Sequence, residues 1–288
     1  MTDLVSIIIP VYNRVDTIRG SINSVLIQTY KNIEVIVVDD CSTDGTVEEI
    51  KSINDERLRL ICHEYNRGAC AARNTGVKNA MGRYIAFNDS DDLWRPNKIE
   101  KQITALKDSN ADVVFCKFER HNYDYKEKEF PELVEGYVDY KTLVIKSKCS
   151  TQTILAKKNV FDEFLFDESI PRMQDYDFVI RAAKTKQFYF VEDCLVDVYL
   201  QSNSITTKNI KKLYEICLLL YERHRDVGKE YPAFEAYFLD SIGYFQVKLN
   251  IDSYPTYSRL YDVNPSVKNL MKKLFSKIGL LRIIWARK

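Results

Sequence analysis

Val5-Ser6-Ile7-Ile8-Ile9-Pro10-Val11-Tyr12-Asn13 decides how the rest of this chain is read. Val5–Ile9 is a short, largely β-branched apolar run, the pattern of a strand buried on both faces. It ends at a proline, an aromatic ring and a polar side chain. Ile33–Val38 repeats the scheme and runs into Asp39-Asp40-Cys41-Ser42-Thr43-Asp44-Gly45. Leu58–Cys62, Tyr84–Phe87 and Val113–Cys116 are three further runs of this kind. Helical patterns fall between them at about 16–29, 44–53, 69–80 and 97–109, with Asp44 placed to cap the second and Pro96 in the first turn of the fourth. Strand–helix alternation predicts an α/β fold, a mostly parallel sheet flanked by helices with right-handed crossovers. Ligands in such sheets bind beyond the carboxyl ends of the strands.

Those ends carry the chemistry. The first presents Pro10, Tyr12 and Asn13, and the second Asp39 and Asp40. After the third come Asn66-Arg67-Gly68 and then Arg73-Asn74; after the fourth, Asn88-Asp89-Ser90-Asp91-Asp92 and Trp94. A planar base can stack on Tyr12 and donate hydrogen bonds to a carboxylate such as Asp40. Bare carboxylates repel a diphosphate, so Asp89 and Asp91 suit a phosphate site only with a divalent cation, Mn²⁺ or Mg²⁺, between them. In an extended Asp-x-Asp both side chains point the same way. No Gly-x-Gly-x-x-Gly follows the first strand, no Gly-x-x-x-x-Gly-Lys occurs, and the chain has only 9 glycines, which disfavours dinucleotide oxidoreductases and P-loop enzymes. Each residue alone has a plainer reading: a polar turn at Asp39-Asp40, a ring plugging the sheet edge at Tyr12, surface ion pairs at Arg67 and Arg73. Their joint placement at successive strand ends favours the functional one.

A second acidic group, Met173-Gln174-Asp175-Tyr176-Asp177-Phe178, opens a helix expected over 174–185. Asp175 there suits a helix N-terminus. It equally suits a general base that takes the proton of an attacking hydroxyl, being ionised at pH 7 with an ordinary pKa near 3.9. Strands are expected at Thr151–Ala156 and near 188–199, a Tyr- and acid-rich loop at 119–137, and helices over 206–288. His63, His121 and His224 lack ligand spacing and read as structural or surface residues, and Trp94 reads as packing against the following helix.

With 288 residues, 45% apolar and 29% charged, the composition is that of a folded globular chain. No apolar run reaches the roughly 20 residues of a bilayer span, and the first residues lack the basic start of a signal peptide. Seven cysteines without a Cys-x-x-Cys read as reduced thiols, giving a cytoplasmic expectation. Residues 1–205 carry 27 basic and 33 acidic side chains, no footprint for nucleic acid, and 206–262 carry 8 of each. From Val263 onward there are seven basic residues and no acid. Val267, Leu270, Met271, Leu274, Phe275, Ile278, Leu281 and Trp285 follow a helical spacing opposite the lysines. Packing on the catalytic domain and lying on the inner face of the cell membrane, through 264–288, are both open readings of this amphipathic tail.

Taken in order, the motifs resemble those of family 2 glycosyltransferases with a GT-A fold. Val5–Asn13, Gln28-Thr29-Tyr30, Val37–Gly45, Asn66-Arg67-Gly68 through Arg73-Asn74 and Asn88–Asp92 carry the likeness, which covers about 1–205. The family more often has Gly where Cys41 stands, Leu where Asn88 stands, and Glu where Gln174 precedes Asp175. The resemblance implies a Rossmann-like catalytic domain over 1–205, with a nucleotide-sugar half at 1–115, an acceptor half at 116–205, and a helical extension at 206–288. It implies inverting transfer of a sugar from a nucleotide-sugar donor, most often UDP-linked. The acceptor is a hydroxyl of a glycan or lipid-linked saccharide, as in bacterial surface polysaccharide assembly. Pro10, Tyr12, Asp40 and Arg73 then hold the uridine, with Asn13, Asp39, Asn66, Arg67, Gly68 and Ser90 completing the donor site. Asp89 serves the ribose and the metal, Asp91 the metal, and Asp175 is the base. Two rivals stand beside this: a non-catalytic nucleotide-sugar-binding or scaffold protein on the same fold, and a nucleotidyltransferase, which typically wants a glycine-rich N-terminal loop absent here.

Overall fold

The structure, a computed structural model, describes residues 3–122, 125–126, 130–146, 148–199 and 209–281. Two compact units divide the chain, Met1–Leu143 with Ser147–Ser202, and Val144–Lys146 with Asn203–Lys288.

In the first unit, among the described residues, ten strands make one sheet. They are β1 (Val5–Val11), β2 (Ile33–Asp39), β3 (Leu58–Cys62), β4 (Tyr84–Phe87), β5 (Leu93–Trp94), β6 (Val113–Asn122), β7 (Tyr125–Lys126), β8 (Gly136–Val138), β9 (Leu155–Lys157) and β10 (Phe188–Tyr199). The helices are α1 (Ile18–Leu26), α2 (Thr46–Lys51), α3 (Ala69–Asn79), α4 (Lys98–Ser109), α5 (Tyr140–Ile145, of which Val144 and Ile145 belong to the second unit), α6 (Lys158–Glu163) and α7 (Gln174–Ala182). The order β3-β2-β1-β4-β9-β6-β10-β5 is parallel from β3 to β4 and between β6 and β10, while β9 and β5 run antiparallel to their neighbours. This is the mostly parallel α/β sheet that the alternation predicts.

Every residue of β1 and β2 is buried, because helices cover both faces. Successive side chains point to opposite sides. Val5, Ile7, Ile9 and Val11 therefore pack with Ile18, Ile22 and Val25 of α1 and Ile99, Ile103 and Leu106 of α4. Ile8, Ile36 and Val38 pack on the other face with Val77 of α3, Phe161 of α6 and Phe178 of α7. Each such side chain contributes about 1.5–3 kcal/mol by leaving water. Gln28, fully buried, ties the two helices on the first face together: its amide donates to Ser24 O (3.1 Å) and Arg95 O (2.9 Å) and accepts from the Ile99 N–H (3.0 Å).

Register sets the edge where the site lies. Val11 faces Asp39 across β1–β2, and Asp39 faces Cys62 across β2–β3, so the strands end level. Five expectations are corrected. The Asp89-Ser90-Asp91 segment, expected extended, is a turn in which the Asp92 N–H donates to Asp89 O (3.2 Å), and the loop expected at 119–137 carries the end of β6, β7 and the start of β8. Thr151–Thr153 forms a 3-10 turn, and the strand begins only at Leu155. The Thr153 hydroxyl donates to Ser150 O, a local bond that competes with the sheet ladder. Helix α2 has Gly45 as its N-cap, although the Asp44 carboxylate accepts the Thr46 N–H. Pro96 precedes α4 and its N-cap Asn97, so it lies outside the first turn.

The second unit contains α8 (Ile210–Arg223), α9 (Arg225–Glu230), α10 (Pro232–Lys248), α11 (Tyr254–Val263) and α12 (Val267–Lys277). Its core gathers Ala236, Leu239 and Val247 of α10, Tyr257 and Leu260 of α11, and Leu281. The last part of the basic tail, 282–288 with Trp285, lies outside the described residues. No helix among them is long and apolar enough to cross a membrane.

Candidate active site

The end of β1 is locked to the end of β2. Asn13 sits at φ 49°, a left-handed conformation that asparagine tolerates better than most residues. Its side-chain oxygen accepts the Thr43 N–H and its own N–H donates to Ser42 Oγ, both at 2.8 Å. Pro10 is buried within β1, opposite Val38. Tyr12, just beyond, is 43% exposed, a ring offered to solvent. Asp39 is buried and accepts the Ser42 N–H (3.0 Å), while its Oδ1 has no partner. Cys41 takes φ 70°, a conformation that glycine adopts without steric cost.

Asp40 is committed to building the site. Its carboxylate accepts the N–H groups of Arg67 (2.9 Å) and Gly68 (2.7 Å) and bonds His63 Nδ1 (2.8 Å), and the His63 Nε2 bonds the Thr75 hydroxyl (2.9 Å). Asn66 closes the loop through Asp40 O (3.1 Å). Three of roughly four acceptor positions are thus filled, leaving about one for a ligand. Arg67 is not brought in: it is exposed and pairs with Glu168 at 3.3 Å.

Gly68, at φ 90°, turns this loop into α3, and the first turns of α3 place Arg73 under the edge of β4. Arg73 is 4% exposed, donates to Asp89 Oδ1 at 2.7 Å, and lies 5.7 Å from the Phe166 ring centre. Its Nε and Nη1 have no partner. Asn74 exchanges two bonds with the Phe166 backbone (2.8 and 3.0 Å), which fixes the ring. The Asp89–Asp92 turn is held on α1 by the Ser21 hydroxyl, which donates to Asp89 O (2.9 Å). Ser90 is buried in that turn. Asp91 pairs with Arg14 at 3.4 Å. Burial, then the neighbouring Asp89 charge, push the Asp91 carboxyl above the usual carboxylate range, and Arg14 partly offsets them. Asp92 is pushed well up by burial and by both neighbours, and its Oδ1 accepts the Tyr199 N–H (3.1 Å).

Asp175 is the second residue of α7, after Met173 in a left-handed conformation (φ 59°). Its Oδ1 accepts the Tyr176 N–H (2.8 Å). A helix N-terminus alone holds a carboxyl down. Here burial wins, and the pKa is pushed up to about 6; Asp89 adds to the rise and Arg73 opposes it, so the three share one electrostatic environment.

Asp89 and Asp91 offer only oxygen donors, in a partly desolvated turn where the Asp89 charge disfavours ionisation of Asp91. That donor set fits a hard divalent cation. A second arrangement went unread in the sequence. Glu119, His121 and Asp197, at the ends of β6 and β10, bring three ligand atoms within 4.8 Å of one another. Arg95 already supplies positive charge there, donating to Glu119 (2.8 Å) and Asp197 (3.1 Å), and His121 Nε2 lies 2.9 Å from Asp197. Burial pushes Asp197 up, but the bonds from Arg95 and His121 outweigh it and hold the carboxyl below its ordinary value. Arg14 was also missed, although its position directly after Asn13 at a strand end was a signal. Trp94 is buried with Lys98 Nζ 3.7 Å from its ring centre, a packing role.

A mostly parallel sheet whose strand ends gather an aromatic ring, a buried arginine and an Asp-x-Asp turn has the GT-A architecture of sugar-transferring enzymes. Residues 6–168 match the sequence profile of "Glycosyl transferase family 2". The chain belongs to that family. It is 39% identical over 163 residues to the Escherichia coli UDP-Glc:alpha-D-GlcNAc-diphosphoundecaprenol beta-1,3-glucosyltransferase WfgD, a match covering 57% of this chain and 64% of that enzyme. The matched stretch is thus under two thirds of this relative's length. Among solved structures, S. aureus TarS 1–349 in complex with UDP-GlcNAc superposes with TM-score 0.68 at 20% identity, covering 96% of this chain and 92% of that one. The mannosyltransferase PcManGT from Pyrobaculum calidifontis, in complex with GDP-Man and Mn2+, gives 0.64 at 16% identity, covering 99% and 88%. At these identities the two structures speak for the fold.

Proposed function

We propose that this protein is a metal-dependent inverting glycosyltransferase that moves a sugar from a UDP-linked donor to a hydroxyl of a lipid-linked glycan acceptor, in bacterial surface polysaccharide assembly. One observation carries the reading: Arg73, Asp89, Asp91 and Asp175 share one electrostatic environment at the carboxyl edge of the sheet. The donor and acceptor classes are supported by the name of the E. coli relative, a UDP-Glc enzyme acting on a diphosphoundecaprenol-linked sugar.

Tyr12 stacks on the uracil, with Pro10, Asn13 and Asp39 shaping the rim and Asp40 accepting from the base at its remaining position. Asn66 and Gly68 keep that loop in place, Ser90 completes the donor site from the Asp89–Asp92 turn, and Arg67 lies at the margin. Arg73 directs its two unpartnered donors at the nucleotide. Asp89 and Asp91 would hold Mn²⁺ or Mg²⁺, which supplies Lewis-acid neutralisation of the departing diphosphate. Asp175 accepts the proton of the acceptor hydroxyl as the oxygen attacks the anomeric carbon opposite the leaving group. The new C–O bond forms as the bond to the diphosphate breaks, so the configuration inverts. The catalytic reading assigns 1–115 to the donor, 116–205 to the acceptor and 206–288 to an accessory helical region.

Incubation with Mn²⁺ and a panel of nucleotide sugars tests the proposal by slow donor hydrolysis and by calorimetry with UDP. Selective release of UDP from one donor supports it. Absence of UDP affinity with and without metal overturns it.

A further inference from the structure

The outer face of α12 carries a feature that none of the catalytic assignments uses. At about 100° per residue, Val267, Met271, Leu274 and Ile278 fall within an arc of about 60°. All four are exposed, Val267 by 80% and Ile278 by 71%. The helix is amphipathic in both directions. Its inner side is anchored: Phe275 packs against the core around Tyr257, Asn269 donates to Asn264 O (2.8 Å), and Lys272 pairs with Asp240. Lys273 lies 5.3 Å from the Tyr261 ring centre. These contacts fix the rotation of the helix and leave the apolar stripe facing outward.

Charge selects the occupant. Lys268 and Lys277 are exposed and flank the stripe at about 90° on either side. From Val263 to the C-terminus the sequence has seven basic residues and no acid. An apolar strip with a cationic border is the pattern of a helix lying in a bilayer interface, its side chains about 5–10 Å deep among anionic headgroups. We propose that the outer face of α12 docks on an anionic lipid surface, with Val267, Met271, Leu274 and Ile278 as the inserted side chains and Lys268 and Lys277 as the headgroup contacts.

The experiment is co-sedimentation of the full chain with vesicles of phosphatidylglycerol and phosphatidylcholine, against phosphatidylcholine alone. Size-exclusion chromatography with light scattering runs in parallel. The expected result is binding to the anionic vesicles only. Met271→Glu with Ile278→Glu should abolish it, and Lys268→Gln with Lys277→Gln should lower the partition coefficient about thirtyfold, at about 1 kcal/mol per lysine. These side chains are exposed, so thermal midpoints should match the parent chain. Failure to pellet with anionic vesicles overturns the proposal, as does binding that neither pair weakens. A dimer dissolved by Met271→Glu with Ile278→Glu also overturns it, since a second copy is then the occupant. None of these outcomes depends on donor binding or transfer.

Discussion

Arg73 and Asp89 form a 2.7 Å ion pair in which the arginine is almost wholly buried, yet two of its donor nitrogens have no partner. A buried polar group normally finds every available bond, because leaving one unmade costs about 1–3 kcal/mol. On the proposed function, those two nitrogens are the donors that anionic or carbonyl groups of the nucleotide would engage.

Arg73→Ala should raise the Kd for UDP about tenfold to a hundredfold, in line with about 1.5–3 kcal/mol for a hydrogen bond to a charged group. Arg73→Lys should recover only part, since an ammonium lacks the planar fork. Calorimetry measures both. An alanine variant that binds UDP like the parent would place Arg73 outside the donor site.

Asp175→Asn should leave UDP affinity near the parent value while kcat falls by about 10²–10⁴, the usual contribution of a positioned general base. The base works only when ionised, and burial sets its pKa at about 6. In the parent enzyme kcat/KM, which follows the ionisation of the free protein, should therefore rise with pH and level off above about 6. The same shift has a stability signature. Between the ordinary 3.8 and about 6, the folded chain holds a proton that the unfolded chain has released, so stability falls as pH rises across that window. Thermal midpoints of parent and variant, measured from pH 4 to 7, should diverge in that direction. Parallel curves would remove the buried-carboxyl account.

The fold is legible in the sequence to the extent that it is local. Strands buried on both faces read as unbroken apolar runs, and β3 and β4 lie where Leu58–Cys62 and Tyr84–Phe87 place them. Ends are less legible: β6 continues to Asn122 because pairing with β10 outweighs the polar character of Lys117, Glu119 and Arg120. The Thr151–Thr153 turn depends on hydroxyl bonds that apolar patterning does not register. In the site, residue types at strand ends are visible, but their partners are not. Nothing local shows that Asp40 is largely consumed by His63, Arg67 and Gly68, that Arg14 faces Asp91, or that His121 meets Asp197 across two strands.

Cys41→Gly should stabilise the protein. At φ 70° a side chain crowds its own backbone at a cost of about 1–2 kcal/mol, against about 0.5–1 kcal/mol of extra entropy lost by glycine. The net gain is at most about 1.5 kcal/mol, a rise of a few degrees in thermal midpoint. A lower midpoint would mean that the Cys41 thiol contact with Glu64 O at 3.7 Å contributes more than the strain removes.

Asp91 offers the sharpest test of the cation. Its carboxyl is forced up by burial and by Asp89, and Arg14 at 3.4 Å relieves only part of that. A divalent ion should relieve the rest, so Mn²⁺ should tighten UDP binding by the parent chain at least about tenfold, or about 1.4 kcal/mol. Because the carboxyl is raised, protons compete with the ion from a higher pH than for an ordinary aspartate, and the Mn²⁺ increment should shrink on acidification. Asp91→Asn removes a ligand and one repelling charge together. Its metal-free affinity for UDP should equal or exceed that of the parent, while its Mn²⁺ increment should vanish, both read by calorimetry without turnover. An asparagine variant that keeps the full increment would move the ion away from the Asp-x-Asp turn, with Glu119, His121 and Asp197 the next set of ligands to replace.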